Sequence, residues 1–199
     1  MSQLILKNLL PLNLAYKTSR LERDAAVLVP LTGRGSGIEL VLTQRSGHLN
    51  SHAGEVSFPG GKWEPGDHSP ADTALRETEE EIALPRGRVA LLGELPNHVS
   101  KHGLRVTPVV GWIDQMPTLV ANPEELDSVF RVPLAFFLED ERVRTDIYSA
   151  AGITHWSPAW RFQEYEIWGL TARVLVNLMN LAFGANITRK SGAPENFRS

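Results

Sequence analysis

The sequence predicts an α/β sandwich in which an acidic helix packs on one face of a mixed sheet. Three observations lead there. Apolar runs of strand length lie early in the chain, a capped amphipathic helix lies in the middle, and a second, apolar helix lies towards the end.

Met1 to Leu14 is apolar but interrupted by Lys7, Asn8 and Pro11. It is too short and broken to span a membrane, and it has no basic start with a small-residue cleavage site. It reads as a packing segment over about residues 1–20 of a single 1–199 domain, and the protein as cytoplasmic. Ala25 to Pro30 is a continuous apolar run, hence a buried strand. Gly33 to Gly37 is a flexible turn, and Ile38 to Thr43 returns as a second strand, so the pair reads as a hairpin. The glycine-rich turn is not a phosphate cradle, because it lacks a Lys-Ser/Thr ending and no helix follows.

Arg45, His48 and His52 cluster next. They have two readings: cationic contacts to a polyphosphate or to the extra phosphate of a nucleotide, or hydrogen bonding that shapes the loop. Glu55 opens a short strand, Val56-Ser57-Phe58, which delivers the chain to Pro59-Gly60-Gly61. The double glycine lets a backbone carbonyl and a phosphate approach closely.

Ser69-Pro70-Ala71-Asp72 is a helix start: a capping serine, a proline suited to the first helical position, and an aspartate that completes a capping box. Ala71, Ala74, Leu75, Thr78 and Ile82 fall on one side, which should face a core. Leu84-Pro85-Arg86-Gly87 ends the helix. Glu77, Glu80 and Glu81 are related as i, i+3 and i+4, so their carboxylates share a face. Like charges so placed repel by roughly 0.2–0.5 kcal/mol per pair, and burial costs more. A positive partner should sit among them. With no His or Cys beside them, the set suits Mg2+ or Mn2+ and not zinc. Arg76, four residues before Glu80, can hold that carboxylate or form an ordinary surface pair.

After the helix, Val89 to Leu95 and Leu104 to Ile113 read as strands. The polar loop between them, Pro96 to Gly103, is placed to contact substrate. Lys101 can bind phosphate there or remain solvated, and neither His98 nor His102 has metal-ligand spacing to the glutamates. Asn122-Pro123-Glu124-Glu125 is a helix-start pattern. Arg161 to Trp168 has strand character, and Leu170 to Phe183 carries Leu175, Leu178, Met179 and Ala182 at helical spacing, as a core helix would. Gly184 to Ser199 is polar, bears Gly and Pro, and reads as a loosely ordered tail.

The spacing Gly61-x5-Asp67-x8-Arg76-Glu77-x2-Glu80-Glu81-x-Ala83-Leu84 closely resembles the Nudix box of the Nudix hydrolases. The general box has Glu in place of Asp67, one residue fewer before the Arg-Glu pair, and Gly in place of Ala83. These departures look like the coenzyme A pyrophosphatase branch. Leu42-Thr43-Gln44-Arg45-Ser46, Gly54 and Phe58-Pro59-Gly60-Gly61 resemble that branch's second signature, except that the branch has Arg where this chain has Asn50. The likeness continues to Trp168-Gly169-Leu170-Thr171-Ala172.

The resemblance implies a Nudix-type α/β/α sandwich with a mixed sheet. It implies metal-assisted hydrolysis of a phosphoanhydride, with Mg2+ or Mn2+ on Glu77, Glu80 and Glu81 and with Glu55 able to complete the metal cluster. Arg76 would orient the cluster, Glu77 or Glu125 would accept a proton, and Glu125 would otherwise serve as a fourth metal ligand. Arg45, Gly60 and Gly61 would contact substrate. The substrate implied is coenzyme A or an acyl derivative, cut to phosphopantetheine and adenosine 3',5'-bisphosphate. Another nucleoside diphosphate derivative, such as ADP-ribose or NADH, is the alternative, and a non-catalytic nucleotide sensor is a further one. Composition is that of a soluble globular protein, and the expected assembly is a monomer or a homodimer. A net charge of −3 gives no basic surface for nucleic acid, and the absence of cysteine excludes disulfides and thiol catalysis.

Overall fold

The computed structural model describes residues 8–13, 15, 24–35, 37–48, 52–150, 153–190 and 192–198. Asn50, where the second signature has Arg, lies outside them, as does most of the N-terminal packing segment.

Strand β1 (Asp24–Thr32) is the centre of the larger sheet. It runs parallel to β7 (Arg105–Ile113) over its whole length, while β2 (Glu39–Arg45) pairs with it antiparallel only at Leu31↔Leu40 and Thr32↔Glu39. The expected hairpin is therefore confined to its tip. Beyond it, β1 pairs with β4 (Gly60–Lys62), and β2 pairs with β3 (Val56–Ser57) and, on its other side, with β8 (Leu126–Pro133). β5 (Ala90–Glu94) and β6 (His98–Val99) pair with β7. The result is an eight-stranded mixed sheet.

Period-2 alternation divides the core in two. Ala26, Leu28, Val41 and Val109 face one side and pack on helix α1 (Pro70–Ile82) through Ala71, Ala74 and Ile82. Val29, Leu31, Leu40, Leu42 and Val110 face the other and pack on the final helix, which carries Leu175, Leu178 and Met179. Between these stretches lie the short α2 (Leu134–Leu138) and strands β9 (Arg144–Ala150), β10 (Ile153–Phe162) and β11 (Tyr165–Ile167), followed by the final helix, α3 (Gly169–Phe183). Helices thus cover both faces, as an α/β/α sandwich requires.

Four sequence expectations change in detail. Arg161 to Trp168 is not one strand, because Gln163 adopts a left-handed conformation (φ 55°) and the chain reverses between β10 and β11. Asn122 starts no helix: its side chain accepts from Glu124 N at 3.1 Å and its carbonyl from Leu126 N at 2.8 Å, which makes a turn into β8. The polar loop before β7 contains β6, with His98 buried. The C-terminal stretch, read as loosely ordered, contains buried Ile187 and a strand, β12 (Glu195–Arg198), which pairs parallel with β9. This strand joins β9, β10 and β11 in a second, four-stranded sheet. At the other end, Leu10 bridges Glu94, and Asn13 N donates to the Glu94 carboxylate at 2.7 Å. Among the described residues, no helix is long and apolar enough to cross a membrane.

Candidate active site

Helix α1 begins as its sequence requires. Ser69 Oγ accepts from Asp72 N at 3.2 Å, and the Asp72 carboxylate accepts from His68 N at 3.1 Å, one residue before the usual capping-box donor. At the other end, Ala83 turns left-handed (φ 53°). Two C-terminal carbonyls then find partners in the loop before β8: Val120 N donates to Ile82 O at 3.1 Å and Asn122 N to Glu81 O at 2.8 Å. That docking brings Glu125 to the acidic face.

Arg76 is the hub of that face. Its guanidinium grips Asp67 in a fork, Nε to Oδ1 at 3.1 Å and Nη2 to Oδ2 at 3.1 Å. It also donates to Glu80 at 3.0 Å, to Glu77 at 3.1 Å and to the Lys62 carbonyl at 3.0 Å. The expected Arg76–Glu80 contact is thus present as one of several. Burial pushes the Asp67 carboxyl up, but donation from Arg76, Glu64 N and Thr73 Oγ1 outweighs it and leaves the group below its usual range. Sequence reading treated Asp67 only as a departure from the box. Its signal was there, since an aspartate in the loop before the helix is within reach of an arginine two turns in.

Glu81 is only 3% exposed. Its Oε2 accepts from Gly60 N at 3.0 Å, and its Oε1 lies 3.8 Å from Arg45 Nη1. Burial pushes its pKa up to about 7, the Gly60 bond opposes this, and the charges of Glu77 and Glu125 add to it. Glu77 is raised for the same first reason, burial, with Arg76 opposing and Glu80 and Glu125 adding. Glu77 thus feels the charges of Glu80 and Glu125, and Glu81 those of Glu77 and Glu125, while Glu80 itself is largely exposed and bonded to Arg76. Gly61 is what lets Glu77 lie against β4, because a Cβ there would run into the Glu77 carboxylate.

Arg45 belongs to the same site. Its backbone pairs with the next segment, with Arg45 N donating to Glu55 O and Gly54 N to Arg45 O. Its Nε is buried without a partner. Ser46 N donates to Glu125 O at 2.8 Å, which ties this segment to the Glu125 loop. His52, Glu55, Lys101 and His102 form a separate group. His52 Nδ1 meets Glu55 at 2.6 Å, the His52 and His102 Nε2 atoms are 3.2 Å apart, and Lys101 Nζ lies 3.7 Å from Glu55. His52 and Glu55 thus connect two loops, His48 is exposed, and His98 lies under α3 away from the carboxylates.

Among the described residues, no three acidic or histidine side chains converge tightly enough to hold an ion. Arg76 and Gly60 N engage the glutamate oxygens instead. The donor set itself fits a hard divalent cation: it is all oxygen, and in two of its carboxylates burial and like-charge repulsion outweigh the opposing contacts from Arg76 and Gly60 N.

Residues 22–146 match the model of the NUDIX domain family. The chain is 42% identical over 154 residues to a Yersinia enterocolitica protein named "uncharacterized Nudix hydrolase NudL", covering 77% of this chain and 78% of the relative. The NudL of Yersinia pestis is 41% identical over 160 residues, covering 80% of each. Among solved structures, the Nudix hydrolase RenU of M. smegmatis superposes with a TM-score of 0.50 at 18% identity, over 59% of this chain and 74% of that one, which is a likeness of fold.

Proposed function

This chain belongs to the Nudix hydrolase family, and we propose that it cleaves the pyrophosphate bond of coenzyme A or an acyl derivative to phosphopantetheine and adenosine 3',5'-bisphosphate. That it is a pyrophosphohydrolase acting on a nucleoside diphosphate derivative follows from the family. The narrower substrate rests on one observation. The two signature segments, although apart in sequence, form one site in which Arg45 faces Glu81 and Gly60 N holds the Glu81 carboxylate.

Nudix hydrolases generally use divalent metals. Glu77, Glu80 and Glu81 are the residues that would hold Mg2+ or Mn2+, which when bound supplies charge neutralisation for the pyrophosphate and acidifies water. The chain's own groups do the rest. Gly60 and Gly61 allow a phosphate to approach the helix closely. Arg45, whose side chain is partly exposed beside Glu81, donates to a phosphate oxygen. Arg76 keeps the Glu77 and Glu80 carboxylates in place. Glu125, close enough to raise both Glu77 and Glu81, accepts the proton of the attacking water. Water oxygen bonds to phosphorus, the bridging P–O bond breaks, and its electron pair leaves with the departing phosphate.

The test is mass-resolved product analysis with Mg2+ or Mn2+ against coenzyme A, acetyl coenzyme A, ADP-ribose, NADH and nucleoside triphosphates. The proposal expects phosphopantetheine as the main product, and Glu125→Gln should lose kcat with little change in KM. Preference for ADP-ribose or NADH would discard coenzyme A and leave the hydrolase.

A further inference from the structure

Beside α3 lies a cleft of about 410 Å3, within the size range of small-molecule sites. Its polar wall is made by Arg173 and Asn177 from α3, Thr154 and His155 from β10, Asn97 from the loop before β6 and His98 from β6 itself. Four of these six residues follow position 146, where the match to the NUDIX domain ends. The cleft is therefore built largely by elements added to the shared domain. It also lies on the α3 side of the large sheet: His98 is paired with Val106 and meets Asn177, whereas the carboxylates stand on α1, against the opposite face.

The chemistry of this cleft is one-sided. Arg173 donates to the Tyr148 hydroxyl at 3.0 Å and, among the described residues, has no carboxylate partner. No acidic side chain lines the cleft. Behind Arg173, His98 is only 6% exposed, with Nε2 at 3.0 Å from the Asn177 amide nitrogen and Nδ1 buried without a partner. With the amide donating to Nε2, the imidazole proton sits on Nδ1. Burial and the Arg173 charge keep this ring neutral, with a pKa lowered to about 4. A cation without a counter-charge, two amides, a hydroxyl and a second imidazole thus share one open space. Such a set of donors matches an anion with several acceptor oxygens.

We propose that this cleft is a second ligand site, which takes the phosphate group of a small molecule with Arg173 as its counter-charge. The site stands independently of the substrate assignment, because it shares no residue with the carboxylate cluster.

The experiment is calorimetric titration of the full chain with inorganic phosphate in chelator, without divalent ion, so that the acidic helix repels anions and does not bind them. Saturable binding is expected, weakened at least about tenfold by Arg173→Gln and unchanged by Glu80→Gln. Should Arg173→Gln not fold, Asn177→Asp sets a carboxylate beside the guanidinium and should abolish binding in the same way. Kinetics with divalent ion then separate two sources of the phosphate. If it is the far end of the substrate, Arg173→Gln raises KM and leaves kcat. If it is a separate effector, both constants hold. Absence of saturable binding, or binding equal in wild type and Arg173→Gln, would overturn the site.

Discussion

Arg76 and Asp67 form a two-pronged ion pair at 3.1 Å for each contact, and through it the loop before α1 is fastened to the helix that carries the glutamates. Lysine is a point charge and cannot reproduce the fork. Arg76→Lys should therefore release Glu77 and Glu80 while keeping the charge, and lower kcat by about one to two orders of magnitude at modest cost in stability. Steady-state kinetics paired with thermal melting check this. Full activity in Arg76→Lys would show that charge alone suffices.

The two glycines of β4 should respond differently to alanine. At Gly60 a Cβ would strike the Ala26 carbonyl, and φ is +149°, so Gly60→Ala should destabilise the fold by about 2 kcal/mol or more. At Gly61 the obstacle is the end of the flexible Glu77 side chain, which can swing away. Gly61→Ala should melt within a few degrees of wild type yet lose most of its turnover. Denaturant unfolding of both variants separates the effects, and equal stabilities would contradict the reading.

His98 gives the acid limb of stability a signature. Its pKa falls from 6.5 to about 4, first through burial and then through Arg173. Above pH 6.5 both folded and unfolded states hold it neutral. As pH falls towards 4 the unfolded state takes up a proton that the native state refuses, so stability is lost across that window. His98→Gln should lose less stability than wild type between about pH 6.5 and 4.5, a difference in which the opposite contribution of Glu81, common to both proteins, cancels. Parallel stability curves for variant and wild type, measured by urea unfolding, would count against it.

The central strands and the acidic helix were legible because their signals are local. Apolar runs mark β1 and β7, and Ser69, Pro70 and Asp72 mark the start of α1. The second sheet was hidden. β9 begins Arg144-Thr145-Asp146, which lacks an apolar run, and besides the local Arg144–Asp146 contact at 3.0 Å its charges are satisfied across strands: Arg144 with Glu166 at 2.6 Å, and Arg198 with Asp146 at 3.1 Å. Such pairs join residues far apart in sequence, so periodicity does not reveal them. The same holds within the site. The glutamate spacing on α1 is visible in sequence, whereas the approach of Glu125 depends on the Asn122–Glu81 backbone bond. The cleft under α3 needs three separate segments and leaves no motif.

In the proposed function Glu81 is a buried carboxylate kept ionisable for a cation and a phosphoanhydride. Its pKa is raised to about 7, so the native state holds a proton that the unfolded state releases, and stability falls as pH rises from about 4.5 through 7. Glu81→Gln keeps an acceptor for Gly60 N and removes that loss. The most direct measurement follows coenzyme A turnover with Mg2+ and metal-free unfolding at pH 8 in this one variant. The account predicts at least a hundredfold loss of kcat together with a gain in stability on the order of 2 kcal/mol. Turnover near wild type, or a metal-free variant less stable than wild type, would contradict it.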